Sequence, residues 1–276
     1  MRAQPGSTSD PDPGATPSLP AEWAIDTDAL NAAALGLLAD EPAASTEAGD
    51  SAIFARNLEA IALRSPRIAK RLSEVASRRD ITFVDTADDV PSATLATASG
   101  VVALASKRRP LAEARTIAES VDVEDHGGIV VLGFALGYHA KAIAERVGKH
   151  GVVIIYEPDL ALLRAVLERV DHSEWIRETV ACFLCDENAS GEMSALTKGL
   201  EAPLAIGIEL VEHAPSRARL GDRAAVFGST FAEVINAMRT QVVTTLMQSD
   251  VTLRNVLMNA EHYVTRPGIA DLKDAA

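Results

Sequence analysis

The chain reads as an α/β protein whose centre is a parallel sheet, and three observations lead there. From Gly128 onward, short apolar runs at 129–133, 151–156, 178–184 and 203–209 alternate with helical patterns at 138–147, 160–170 and 189–199. The runs are apolar almost throughout rather than at every second residue, the texture of strands buried on both faces. A glycine-bearing turn, "LGFALGYH", joins the first run to the first helix, the place where doubly wound folds keep their ligand edge. This combination is Rossmann-like, in its methyltransferase-like form. Dinucleotide-binding enzymes, methyltransferases and non-catalytic domains all use the layout.

The elements before the turn differ in kind. Asp50 is placed to cap a helix over "SAIFARNLEAIALRS", with Phe54, Leu58 and Ile61 on one face. Ser65 is placed to cap a second helix that opens on Pro66, where a missing N–H costs nothing. Ile68, Leu72 and Val75 form its apolar stripe. "ITFVD", "ATLATA" and "VVALAS" read as short strands, and 110–121 returns to helix. Together these predict a small α+β unit over 50–126, then the Rossmann-like domain over 127–212 and a helical connector over 213–276. In the connector, Phe231, Val234, Ile235, Met238 and Val242 form one stripe, and Leu253, Val256, Leu257 and Ala260 another.

Residues 1–49 stand apart. "MRAQPGSTSDPDPGATPSLP" has no apolar period and predicts disorder, followed by a short helix near 28–38. Residues 1–50 carry nine carboxylates against the single Arg2, which accounts for most of the net charge of −13. Residues 51–110 are mildly basic, with ten Lys/Arg against six Asp/Glu. This balance argues against a nucleic-acid partner, which leaves a basic footprint. No run is apolar enough to span a bilayer and no targeting signal is visible, so a soluble cytoplasmic protein is expected.

The two cysteines, Cys182 and Cys185, form a CxxC inside a strand-like run. Residues three apart on a strand face opposite sides, and no further ligands complete a zinc site. Buried thiols are expected, and no metal. His139, His150 and His172 fall at separate helix ends and His213 in a loop beyond the last strand, so no catalytic cluster is evident. A lone histidine such as His139 is expected to be a surface or capping side chain.

The candidate site is the strand-to-helix turn itself. Gly133 and Gly137 permit positive φ and close backbone approach, and the helix that follows offers free N–H groups to an anion. Glu157 lies 24 residues after Gly133, about where a carboxylate meets a ribose diol. Two departures count against a cofactor. The GxGxxG pattern is unmet, and Val131 and Ala135 stand where a methyltransferase turn carries an acid and a middle glycine. The other reading gives the glycines to turn geometry and helix packing, with Glu157 a solvated strand end. Lys107, Arg108 and Arg109 form a basic loop that could meet an acidic partner or a phosphate.

In this order, "NLEAIALRSPRIAKRL", "LASKRRPLAEARTIAES", "VVLGFALGYHAKAIAERVGKHGVVIIYEPD" and "TLRNVLMNAEHYVTRPGIADLKD" resemble the N-terminal domain of the Maf (motility-associated factor) glycosyltransferases. The match runs from about residue 51 to the end. Ala135 replaces the family's middle glycine, and "SKRRP" stands where an aromatic-acidic-Pro run is usual. The resemblance implies a role in flagellin glycosylation with nonulosonic acids in the bacterial cytoplasm. The family's catalytic domain begins after a segment like "RPGIADLKD", so the chain resembles the accessory module alone. It implies no catalytic residue and no cofactor here, with flagellin or a glycosyltransferase catalytic domain as partner. The alternative is a Rossmann-fold nucleotide-binding enzyme, such as a SAM-dependent methyltransferase, working at the Gly133–Glu157 edge.

Overall fold

The computed structural model describes residues 46–97 and 100–265. The predicted acidic segment, the helix near 28–38 and the final "RPGIADLKD" stretch lie outside them. From residue 47 onward the chain forms one compact unit.

Helices α1 (Thr46–Ala62) and α2 (Pro66–Glu74) lead into strands β1 (Ile81–Val84), β2 (Ser92–Thr97) and β3 (Gly100–Ala103), which pair as an antiparallel sheet. Helix α3 (Pro110–Glu119) follows. The second sheet comprises β4 (Gly128–Leu132), β5 (Val152–Tyr156), β6 (Ala181–Leu184) and β7 (Ile208–Glu212), all parallel in the order β6-β5-β4-β7. Between them run α4 (Tyr138–Val147), α5 (Leu160–Arg169), α6 (Ser173–Glu178), α7 (Ser190–Thr197) and α8 (Glu201–Ile206). After β7 come α9 (Ala214–Leu220), α10 (Asp222–Met258) and α11 (Ala260–Thr265). The chain builds β4, β5 and β6 outward in one direction, then returns to lay β7 on the far side of β4. That reversal makes the β4–β7 crevice the topological switch point, and the Rossmann-like α/β class read from the sequence is the one observed.

Strand alternation sorts the core into two layers. Ile129, Val131, Val153, Ile155, Ala181 and Phe183 face α4, α5 and the N-terminal elements. Val130, Leu132, Ile154, Tyr156, Cys182 and Leu184 face Met193, Leu204, Leu220 and the first half of α10. Both layers are needed because β4 and β5 are buried at every residue. The first layer also takes in Ile61, Leu72, Leu95 and Ala118, so one continuous core crosses residue 126. Cys182 and Cys185 are free thiols buried in opposite layers, which excludes a shared metal or a disulfide. Burial pushes the Cys182 thiol up to about 11 and the Cys185 thiol up as well, so both stay protonated at neutral pH.

Several local expectations are corrected. Helix α1 starts at Thr46, which puts Asp50 inside the helix rather than at its cap. Ser65 does sit at the N-cap of α2, but its hydroxyl makes no capping bond. It accepts instead from Phe183 N (2.9 Å), covering an N–H on the outer strand β6 that no further strand pairs. The strand expected at 203–209 is really the end of α8 followed by β7. Pro203 lies in the first turn of α8, where a missing N–H is tolerated, and Gly207 ends it. The apolar run "PLAIGIELV" thus belongs to two elements. The stripe Phe231, Ile235 and Met238 is buried as expected, whereas Leu253, Val256 and Leu257 are exposed. No helix among the described residues is long and apolar enough to cross a membrane.

Candidate functional site

The turn after β4 is shaped by departures from ordinary backbone at three alternate residues. Gly133, Ala135 and Gly137 take φ of 93°, 45° and 78°, all in the region where a Cβ is strained. The second of these is the alanine that fills the middle-glycine position. The turn closes through Gly137 N to Phe134 O (2.7 Å), and its start is pinned by Gly133 N to Tyr156 O (2.9 Å).

Each glycine admits a protein group rather than leaving a cradle. A Cβ on Gly133 would lie 2.2 Å from Ser216 Cβ, because α9 packs directly on this residue. A Cβ on Gly137 would meet Phe134 Cζ at 2.4 Å and the His172 ring at 2.8 Å. The switch-point crevice is therefore occupied by the chain's own helix and side chains. A cavity of about 10 Å³, room for a single water at most, lies between Pro110, Ala114 and Ile117 of α3 and Leu136, Tyr138, His139 and His213.

Glu157 is fully buried, which corrects the expectation of a solvated strand end. Arg219, from α9, holds it in a bidentate grip: Nη1 donates to Oε1 at 2.7 Å and Nη2 to Oε2 at 2.6 Å. Phe134 N donates to Oε2 and Asp159 N to Oε1, each at 3.0 Å. Both carboxylate oxygens are thus spoken for by a guanidinium and two backbone N–H groups. The carboxylate placed for a ribose diol instead ties the glycine turn, the end of β5 and α9 together. Asp159 completes the Glu-Pro-Asp segment as the N-cap of α5, accepting from Leu162 N (2.9 Å) and pairing with Arg78.

The histidines also gather, contrary to the sequence reading. His139 and His213 are buried and stack face to face, with ring centres 4.2 Å apart and planes 5° from parallel. His139 Nε2 donates to Gly133 O (3.0 Å), and His213 Nδ1 bonds the Ser216 hydroxyl (2.9 Å). Burial pushes His139 down to about 4 and His213 down to about 2, the second reinforced by His139 and Arg219. Two uncharged imidazoles in contact avoid the repulsion that two imidazoliums would suffer. His139 is a packing element, not a capping side chain.

His172 fixes the other end of the turn. Its Nε2 donates to Leu136 O (3.0 Å), while Nδ1 accepts from Trp175 Nε1 (2.9 Å), so one neutral tautomer is selected. Burial lowers its pKa to about 4. Its backbone N–H donates to Asn57 Oδ1 (2.8 Å), and Asn57 Nδ2 donates to Leu167 O and Val170 O (2.7 and 2.8 Å). Asn57, the first residue of "NLEAIALRSP", is fully buried and links α1 to the end of α5 and, through His172, to the glycine turn. Tyr138 makes a parallel link by donating to Pro91 O (2.7 Å).

Lys107, Arg108 and Arg109 are exposed, and their loop is held by Arg108 N and Arg109 N donating to Ser106 Oγ (3.4 and 3.2 Å). The structure leaves this loop apart from the bonded network at the turn. Among the described residues no group of His, Cys, Asp and Glu is placed to hold a metal. Sequence reasoning missed Arg219. Its signal was present in "APSRARL", where Ser216 and Leu220 mark a buried face that Arg219 adjoins. A basic residue there needs a buried carboxylate as partner.

No protein-family model matches this sequence, and none of the curated proteins does. Among solved structures, the chain is similar to a Maf glycosyltransferase from Magnetospirillum magneticum AMB-1, at 13% identity and a TM-score of 0.41. That likeness covers 69% of this chain and 35% of the glycosyltransferase, so the chain spans about a third of that protein's length. It is also similar to MnmC2 from Aquifex aeolicus, at 17% identity and a TM-score of 0.24, over 46% of this chain and 51% of that one. A fibrillarin/Nop5p complex gives 15% identity and a TM-score of 0.25, over 58% and 87%. The fold assignment rests on strand order and switch point, described above.

Proposed function

We propose that this chain is an accessory binding module of Maf-like glycosylation, acting on flagellin or on a neighbouring glycosyltransferase catalytic domain without transferring sugar itself. The carrying observation is the Arg219–Glu157 pair. A nucleotide-binding edge needs its strand-end carboxylate and its glycine turn open to ligand, and here both are engaged by α9. The Maf affiliation is supported by the ordered motifs, whose residues Asn57, Gly133, Gly137, Glu157 and Asp159 form one bonded network in the structure. Sugar transfer from a CMP-activated donor would require a site that holds donor and acceptor together and stabilises the departing phosphate. The alternative, a nucleotide-binding enzyme, requires α9 to leave the crevice and strand Glu157 without its cation.

The test mixes purified chain with flagellin and a CMP-activated nonulosonic acid, with and without a separately produced Maf-family catalytic domain. Saturable binding to flagellin or to that domain is expected, with no mass change on the acceptor when the chain acts alone. A catalytic mass increase produced by the chain alone would overturn the reading.

A further inference from the structure

We propose that the C-terminal half of α10 is an interface for a second copy of this chain, pairing antiparallel about a two-fold axis near residues 251 and 252. The first half of the helix buries Phe227, Phe231, Ile235 and Met238 on the sheet. From Val243 through His262, every described side chain is exposed. On this stretch Val243, Leu246, Asp250, Leu253 and Leu257 recur at alternating intervals of three and four, the spacing of a coiled-coil seam. The four apolar members are 55–66% exposed, and Met247 beside them is 73% exposed. Isolated residues of this kind are ordinary on a surface, but a continuous seam is the mark of an interaction face.

The segment is also a poor helix on its own. Six of the residues 243–258 are Val or Thr, which lose side-chain freedom in a helix. A short helix in water draws most of its stability from packing, and among the described residues every side chain of this stretch stays exposed.

Self-pairing is favoured over an unlike partner by the symmetry of the pattern. Between Arg239 and Glu261 the only charged residues are Asp250 and Arg254, and neither makes an ion pair among the described residues. A two-fold interface requires that if one residue faces a second, the second faces the first. An axis between residues 251 and 252 satisfies this: Leu246 meets the other copy's Leu257, and Asp250 packs beside the other copy's Leu253 and Arg254. Both ion pairs form at once, and the one polar seam position sets the register. A parallel arrangement would instead set Asp250 against Asp250.

The experiment is sedimentation equilibrium of the full chain at tens of micromolar. The expected result is a reversible dimer, with Leu246→Glu/Leu257→Glu monomeric and losing no more helical circular dichroism than the C-terminal half of α10 accounts for. Asp250→Arg should weaken association about tenfold or more, and Asp250→Arg/Arg254→Asp should restore it. A monomeric wild-type chain, a dimer that survives the double glutamate change, or a charge swap that fails to restore pairing would each overturn the proposal.

Discussion

The carboxyl edge of the sheet and the far half of α10 are opposites. At the edge a glycine turn, a strand-end carboxylate and three histidines are present, the usual materials of a chemical site, yet each is matched to a partner in the same chain. Along the far half of α10 only Asp250 and Arg254 are charged, and among the described residues the apolar side chains stay exposed. Residue types suggested chemistry at the first region and packing at the second. The contacts reverse that reading: the edge is interior structure, and the bare helix is the surface left to meet something else.

Acidification should break the edge most severely. His139, His172 and His213 are neutral and buried, with pKa values lowered from 6.5 to about 4, 4 and 2. Their folded pKa values lie below the unfolded one, so the unfolded chain binds more protons in this window. The stability is fully present above pH 6.5 and is lost as pH falls, through about 4 for His139 and His172 and on toward about 2 for His213. Each histidine contributes a slope of about 1.4 kcal/mol per pH unit, and the three approach about 4 kcal/mol per unit. Urea unfolding at a series of pH values reads this directly; a level stability from neutral pH down to about pH 5 would contradict neutral burial.

Replacing Arg219 with Met comes next. It leaves a buried carboxylate with backbone donors only, and should cost about 3–5 kcal/mol in denaturant unfolding. If stability barely changes, Glu157 is not committed to Arg219 and the edge is open to other ligands. Gly133→Ala follows at about 2–5 kcal/mol, the sum of positive-φ strain and overpacking against Ser216. Ala135→Gly should be far gentler. Relief of about 1–2 kcal/mol of strain is offset by about 0.8 kcal/mol of lost methyl burial, leaving a small gain in melting temperature. On the bare helix, Leu257→Ser in the dissociated chain should shift stability by less than about 0.5 kcal/mol.

The fold was legible where the signal is local. Buried parallel strands such as 129–133 and 151–156 are apolar at every position, and the helices between them keep their stripes. What failed was punctuation in an uninterrupted apolar run: "PLAIGIELV" hid a helix end, a glycine and an edge strand. That slip ended the last strand early, and the helical connector over 213–276 was read only from its stripes at 231–242 and 253–260, which left Arg219 unplaced. The turn itself was legible as a turn, from its glycines, but its occupancy was not. Which side chain fills a crevice depends on residues far away in sequence, as Arg219 is from Glu157 and Ser216 from Gly133, and no periodicity reports that. Asn57 shows the same limit. As a helix residue it looks ordinary, and only the fold brings it to the end of α5.

The switch-point crevice is filled by the chain's own α9, and we propose that it holds no nucleotide. Calorimetric titration of CMP, S-adenosylmethionine and NAD into the purified full chain tests it most directly. The account predicts no saturable heat for any of the three, and the same for Glu157→Gln. Saturable binding by the wild-type chain that Glu157→Gln abolishes would contradict it.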